Sequence, residues 1–201
     1  MLDTAPRTVV LLDGGIESLT CAAIALDRGE ASEQSHKVVP LAFLEFTDTP
    51  ANASRQRAIS RQFEYLGDAS RSGDVAPSIG RQGLIKAVDL AGPDGTILWG
   101  RRCSECPDAI ADTLALAEHL TGIARYSQPS CLIQFDLPLL DLTAGQVLDL
   151  ASTLGAPLGA CWSCEHTGPE PCGDCPSCLS WLEASRESGR PLPRAGSPTP
   201  G

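Results

Sequence analysis

The chain has 201 residues, 42% of them hydrophobic, and a formal net charge of -10. That length suits one compact domain with a small appendage, and so acidic a surface repels phosphate backbones, which argues against a stable nucleic-acid partner. No apolar run approaches the roughly 18–20 residues of a bilayer-crossing helix, and Met1–Arg7 lacks a signal-peptide pattern, so a cytoplasmic protein without a membrane partner is expected.

The first apolar run, Thr8–Leu12, reads as a buried parallel strand and ends in Asp13-Gly14-Gly15. Helical spacing follows in Leu19, Ala22, Ala23 and Leu26, predicting a helix over Ile16–Leu26 that stops near Gly29. A second strand is expected at Val38–Phe46, with Pro40 limiting pairing at its start. Ile59, Phe63 and Leu66 share one face of a helix over Ser54–Leu66. Gly67–Ser78 reads as a loop with at most a weak strand, and Leu84–Ala91 as a helix.

Thr96–Gly100 predicts another buried strand, and Pro107 the first turn of a helix running to about Leu120. Cys131–Phe135 is a candidate strand. Thr143 and Gln146 form a capping box for a helix over Ala144–Leu154, which Gly155 and Pro157 terminate. Strands alternating with helices imply an α/β fold with a doubly wound, mostly parallel sheet. The expected organisation is a nucleotide-binding domain over 1–158, a four-cysteine segment over 159–184 and a disordered Pro/Gly/Ser/Arg-rich tail over 185–201. No internal repeat is visible.

Asp13-Gly14-Gly15-Ile16-Glu17-Ser18 lies at the carboxyl end of the first strand, where open α/β sheets bind ligands. Paired glycines allow a tight turn and a close backbone approach to phosphate, and the next helix adds its N-terminal donors. The turn matches neither G-x-x-x-x-G-K-[ST] nor G-x-G-x-x-G, and a plain turn is the competing reading.

Nine cysteines in a cytoplasmic chain point to metal or buried thiols before disulfides. Cys164-x7-Cys172-x2-Cys175-x2-Cys178 supplies four thiolates, the set a closed tetrahedral zinc site takes. Such a site is structural, since four sulfurs leave no open position for water. Disulfides or ordinary buried thiols are the alternative, and Cys161 or His166 could replace a ligand. Cys103-x2-Cys106 reads as a thiol pair, or more sharply as a catalytic thiol beside a strand end. Cys21 and Cys131 fall in apolar periodicity and read as core. Arg81, Arg101 and Arg102 are cations near strand ends, and His119 reads as the end of its helix. His36, His119 and His166 form no catalytic arrangement.

The glycine turn resembles the S-G-G-x-D-S loop of the PP-loop ATP pyrophosphatases, whose fold is adenine nucleotide alpha hydrolase-like. Within that superfamily the later segments resemble the 7-cyano-7-deazaguanine synthases of queuosine biosynthesis. The carriers are Ile79-Gly80-Arg81-Gln82, Cys106-Pro107-Asp108, Pro138-Leu139-Leu140-Asp141-Leu142-Thr143, Trp162-Ser163-Cys164 and the three later cysteines. The resemblance spans about Thr8 to Leu182.

It implies an ATP-dependent ligase with Mg²⁺ that adenylates a carboxylate, 7-carboxy-7-deazaguanine or a relative, for attack by ammonia or an amine. It further implies nucleotide contacts at Asp13–Ser18, catalytic roles for Arg81 and Glu17, and a substrate side formed by Arg101, Cys106 and Asp108. Structural zinc on Cys164, Cys172, Cys175 and Cys178, a homodimer and a further protein partner complete the expectation. This chain departs from the pattern at Asp13 (family Ser), Glu17 (family Asp), Ala144 (family Lys) and Ala109-Ile110 (family Cys-Arg). Those departures leave a second reading: a catalytically silent nucleotide- or deazaguanine-binding relative, of the kind associated with bacterial defence.

Overall fold

The computed structural model describes residues 6–31, 37–44, 53–67, 78–103, 107–127, 132–166, 168 and 170–190. Five parallel strands form one sheet in the order β3-β2-β1-β4-β5. They are β1 (Arg7–Leu12), β2 (Lys37–Leu44), β3 (Ser78–Ile79), β4 (Thr96–Leu98) and β5 (Gln134–Asp136). The helices are α1 (Ile16–Ala31), α2 (Ala53–Tyr65), α3 (Gly80–Ala91), α4 (Pro107–Ser127), α5 (Ala144–Thr153) and α6 (Pro176–Ser188). No helix is long and apolar enough to cross a membrane among the described residues.

The period-two pleat sorts the core into two layers. Val10, Leu12, Ala42 and Leu98 pack with α1, Ile59 and Phe63 of α2, and Val147, Leu148 and Ala151 of α5. Val9, Leu11, Leu41, Phe43, Ile97 and Trp99 pack on the other face with Leu84 and Ala87 of α3 and Leu120 and Ala124 of α4. Burial on both faces is why these strands read as unbroken apolar runs rather than alternating ones. The chain reverses direction across the sheet between β1 and β4, so the switch point lies at their carboxyl ends.

Pro40 pairs with Val10 of β1, while β3 reaches only Phe43 and Leu44. Among the described residues β2 is therefore an edge at Pro40, where a missing N–H costs no ladder bond. The capping box at Thr143 forms as expected: its hydroxyl accepts from Gln146 N, and Gln146 Oε1 accepts from Thr143 N.

Several boundaries move. α1 runs past Gly29 to Ala31, β4 stops at Leu98, the last strand is Gln134–Asp136 rather than Cys131–Phe135, and the expected end of the second strand, Glu45 and Phe46, lies outside the described residues. α4 continues to Ser127, so His119 lies inside the helix, with Nδ1 2.6 Å from the Ala115 carbonyl, and does not end it. The tail boundary at 185 also shifts: α6 extends to Ser188 and closes on Gly189 in the left-handed conformation. A proline-rich composition after 190 masked a helix that begins with Pro176 at its first turn. Most of the predicted loop, and Cys131, fall outside the described residues.

Candidate functional site

The glycine turn is held from behind by three different donors. Arg55 Nη1 donates to the Asp13 carbonyl at 3.1 Å, Trp162 N to Gly14 O at 2.7 Å, and Gln62 Nε2 to Gly15 O at 2.8 Å. Carbonyl and N–H point opposite ways across a trans peptide, so pinning three successive carbonyls turns the Gly14, Gly15 and Ile16 amides away from those donors. Backbone amides turned away from such braces at a sheet switch point can receive an anion, although the Gly15 N–H is donated to Asp13 Oδ1.

The two glycines serve different ends. Gly14 sits at φ +82° and is roofed by α2; an added Cβ would lie 3.0 Å from the Arg55 carbonyl. Any side chain there strains the fold itself. Gly15 faces the cleft, and a Cβ would meet Asp13 Oδ1 at 3.1 Å and Glu17 Oε2 at 3.4 Å. Its bareness lets two carboxylates converge.

Beyond the turn opens a cleft of about 350 Å³, lined by Asp13, Gly15, Glu17, Arg55 and Arg102, with Ala144, Ser163, Ser180 and Trp181 opposite. Asp13 Oδ1 accepts the Gly15 N–H at 2.8 Å, so a carboxylate of the chain occupies an amide that a phosphate would use. Glu17 stands 3.5 Å from Arg102 Nε, and Asp13 lies at 4.0 Å from Arg55. Burial, then the neighbouring Asp13 charge, raises the Glu17 pKa above the ordinary 4.5, against the lowering pull of its own backbone N–H and of Arg102.

That shift carries a sign. A carboxyl that holds its proton more tightly when folded favours the native state at low pH, and the advantage drains as pH rises from 4.5 through the raised value. Glu17→Gln should therefore flatten the loss of stability above that pH, as read by urea midpoints across the acid-to-neutral range. An unchanged slope would remove Glu17 as its source.

Expected site residues divide between two places. Asp13, Gly15 and Glu17 line the cleft, and so does Ala144. Ile16 is core, and Ser18 points inward, its Oγ 2.9 Å from both the Gly15 carbonyl and Gln62 Oε1. Ser18 thus braces the turn. Arg81 and Arg101 line a second cleft with Phe43, Leu84, Trp99 and Asp112, so the structure does not bring Arg81 together with Glu17. Asp108 is exposed in the first turn of α4 and lines neither cleft. Cys106 lies outside the described residues, and Cys103 is buried 4.0 Å from Thr113 Oγ1.

Sequence reading missed Gln62 and Arg55. The available signal was a polar side chain on the apolar face of α2, between Ile59 and Phe63, where burial demands a specific hydrogen-bond partner. Gln62→Leu would take from the buried Gly15 carbonyl its donor on α2 and from the Ser18 hydroxyl its Oε1 acceptor, leaving Ser18 Oγ and Leu19 N on that carbonyl. A loss of about 1–3 kcal/mol is expected, together with weaker nucleotide binding, measured by denaturation and by ATP titration.

The four sulfurs of Cys164, Cys172, Cys175 and Cys178 lie within 4.8 Å of one another. Cys164–Cys172 and Cys172–Cys178 are separated by 3.6 and 3.9 Å. A tetrahedron with metal–sulfur bonds of about 2.3 Å has edges of about 3.8 Å, so the donor set fits zinc. Backbone amides of His166, Cys172, Cys175 and Cys178 point at ligand sulfurs at 3.3–3.4 Å, which favours thiolates. Cys161 is no ligand: its Sγ donates to the Leu158 carbonyl, and burial pushes its pKa up to about 12. His166 and Asp174 form a second, exposed group that shares Cys172 with the four-cysteine set. Cys21 is core, as expected.

The comparisons agree with this layout. The family model described as "Queuosine biosynthesis protein QueC" matches residues 99–189, from the end of β4 through α6. A "7-cyano-7-deazaguanine synthase" of Synechococcus sp. (strain CC9902) is 44% identical over 217 residues, covering 93% of this chain and 96% of that protein. The chain belongs to the 7-cyano-7-deazaguanine synthase family. Proteins of the same name from Synechococcus sp. (strain RCC307) and Oceanobacillus iheyensis are 28% and 23% identical, each over 92% of this chain and 96% of their own. Of the positions where the sequence departs from the resembled pattern, Asp13, Glu17 and Ala144 line one cleft, whereas Ala109 and Ile110 do not line it.

Proposed function

We propose that the chain is an ATP-dependent synthase that activates the carboxylate of a 7-deazaguanine. ATP lies on the glycine turn, phosphates toward the Gly14–Ile16 amides; a substrate carboxylate oxygen attacks the α-phosphorus and pyrophosphate leaves. Ammonia then displaces AMP to give the amide, and a second ATP-driven step removes the amide oxygen to give the nitrile. The observation that carries this reading is the set of three pinned carbonyls at the switch point, in a chain of this family.

Arg55 and Arg102 are the cations this cleft offers to developing pyrophosphate charge in place of the lysine missing at Ala144. Asp13 and Glu17 would hold Mg²⁺, which would neutralise phosphate charge when bound. Zinc on the four cysteines would be structural. A cytoplasmic setting accompanies the proposal, and so does the homodimer that the resemblance implies.

The Asp13–Gly15 hydrogen bond favours a second reading. A loop whose amide is taken by its own carboxylate is suited to a nucleotide- or deazaguanine-binding relative without turnover. Incubation with ATP, Mg²⁺, 7-carboxy-7-deazaguanine and ammonia separates the two: AMP and the nitrile should accumulate with substoichiometric enzyme. Tight ATP binding without AMP would support the silent relative instead.

A further inference from the structure

The four-cysteine set shows one sulfur-bearing residue to solvent. Cys164, Cys175 and Cys178 are buried, whereas Cys172 is exposed. His166 and Asp174 stand on that exposed side. A ring nitrogen of His166, a carboxylate oxygen of Asp174 and Cys172 Sγ all lie within 4.8 Å of one another, the same limit that bounds the four sulfurs. The backbone accounts for the gathering. His166 N points at Cys164 Sγ at 3.4 Å, which ties that residue to the sulfur site. Gly173, at φ +81°, turns the chain tightly between Cys172 and Asp174, a conformation that a residue with a Cβ rarely adopts.

Imidazole nitrogen, thiolate sulfur and carboxylate oxygen are the three donor types that zinc takes, at bond lengths of about 2.0–2.3 Å. Around one tetrahedral ion such donors stand about 3.3–3.8 Å apart, a distance that small rotations of these exposed side chains reach. Charge favours a cation at this place. Four thiolates on one divalent ion leave two negative charges uncompensated, and the Asp174 carboxylate adds another beside them, on a chain of formal net charge -10. A thiolate already bound to one ion keeps lone pairs for a second, and Cys172 is the member of the set with room around it.

We propose that His166, Cys172 and Asp174 form a second metal site, which takes a borderline divalent ion such as zinc or cobalt. Cys172 Sγ bridges that ion to the one held by the four cysteines. Three protein donors leave a fourth position open to water, and all three residues are exposed. This ion therefore exchanges with solvent while the buried one stays. The inference rests on zinc in the four-cysteine set and adds an ion that those cysteines do not by themselves require.

The test starts from full-length chain carrying one zinc per molecule, titrated with Co²⁺ in wild type, His166→Ala and Asp174→Ala. Both variants keep the four cysteines, and their zinc content, by elemental analysis, verifies that the first site is intact. Wild type should take up one Co²⁺ per chain without releasing zinc. A thiolate-to-cobalt charge-transfer band in the near ultraviolet should accompany it, because Cys172 is among the ligands. Each substitution should weaken the uptake by about tenfold or more, since even the outer partners of metal ligands are worth about 10- to 100-fold in affinity. No such band in wild type up to about 1 mM Co²⁺, with zinc retained, overturns the second site and leaves the first standing. A band that neither substitution weakens also overturns it, placing the cobalt on other thiols. Cobalt that enters only as zinc leaves reduces the two sites to one. A chain that binds no zinc at all removes the four-cysteine reading, and the bridged site falls with it.

Discussion

Replacing Cys175 and Cys178 with serine should strip metal from the chain, loosen 163–178 and weaken nucleotide binding at once. Among the described residues the segment's buried cluster is Trp162, three cysteines and Ala58 of α2, with exposed bonds from Ser177 to Glu165. Structural zinc contributes about 10–16 kcal/mol in small peptide sites, so one ligand in four carries on the order of 3 kcal/mol. The far half of α6 packs on α5, with Ala184 buried and Gly145 against Glu187, and should persist. Hydrogen exchange should therefore rise over the cysteine loop and the first turn of α6 but not near Glu187. The nucleotide effect travels through Trp162 N, which donates to Gly14 O, and through Ser163, Pro176 and Ser177, which line the cleft themselves. Metal analysis, exchange and ATP titration together check the chain of cause. Full metal content in the double variant, or ATP affinity unchanged after metal loss, would break it.

The double change Asp13→Ser and Glu17→Asp should raise AMP release, by about 10- to 150-fold for each regained charge-assisted contact at roughly 1.5–3 kcal/mol apiece. Removing Asp13 frees the Gly15 amide that its carboxylate now occupies. It also removes a negative charge from beside Glu17, part of what raises that pKa. Ala144→Lys should add a cation on the opposite wall of the same cleft, with less than additive effect because the charges interact. If Asp13 and Glu17 instead hold Mg²⁺ in a rewired site, the double change lowers an activity the wild type already has. Comparing AMP release by the two proteins with the same substrates separates these outcomes.

Much of this architecture was legible in the residues. β1, β2 and β4 are runs of Val, Leu and Ile buried on both faces, and a run of that kind is hard to place elsewhere. Thr143 with Gln146 announced α5 because both capping bonds are local in sequence. The grouping of Cys172, Cys175 and Cys178 was legible in their spacing, since turns bring sulfurs three residues apart to one point, whereas Cys164 rather than Cys161 was what the family resemblance implied. The family motifs, likewise, are contiguous stretches.

What remained hidden depended on partners distant along the chain. Gln62 reads as one more polar helix residue until folding buries it completely and sets it against Gly15, 47 positions away. Arg101 and Arg102 are neighbours in sequence, yet the twist of one strand end sends them into different clefts, and Arg81 follows Arg101 rather than Glu17. Composition likewise placed the end of order at 185, whereas packing of α6 on α5 carries the helix to Ser188. Local periodicity and capping settle which elements form, because their energies lie within a few residues. Which side chains share a cleft is settled by contacts made only after the sheet has assembled, and no short window of sequence contains those.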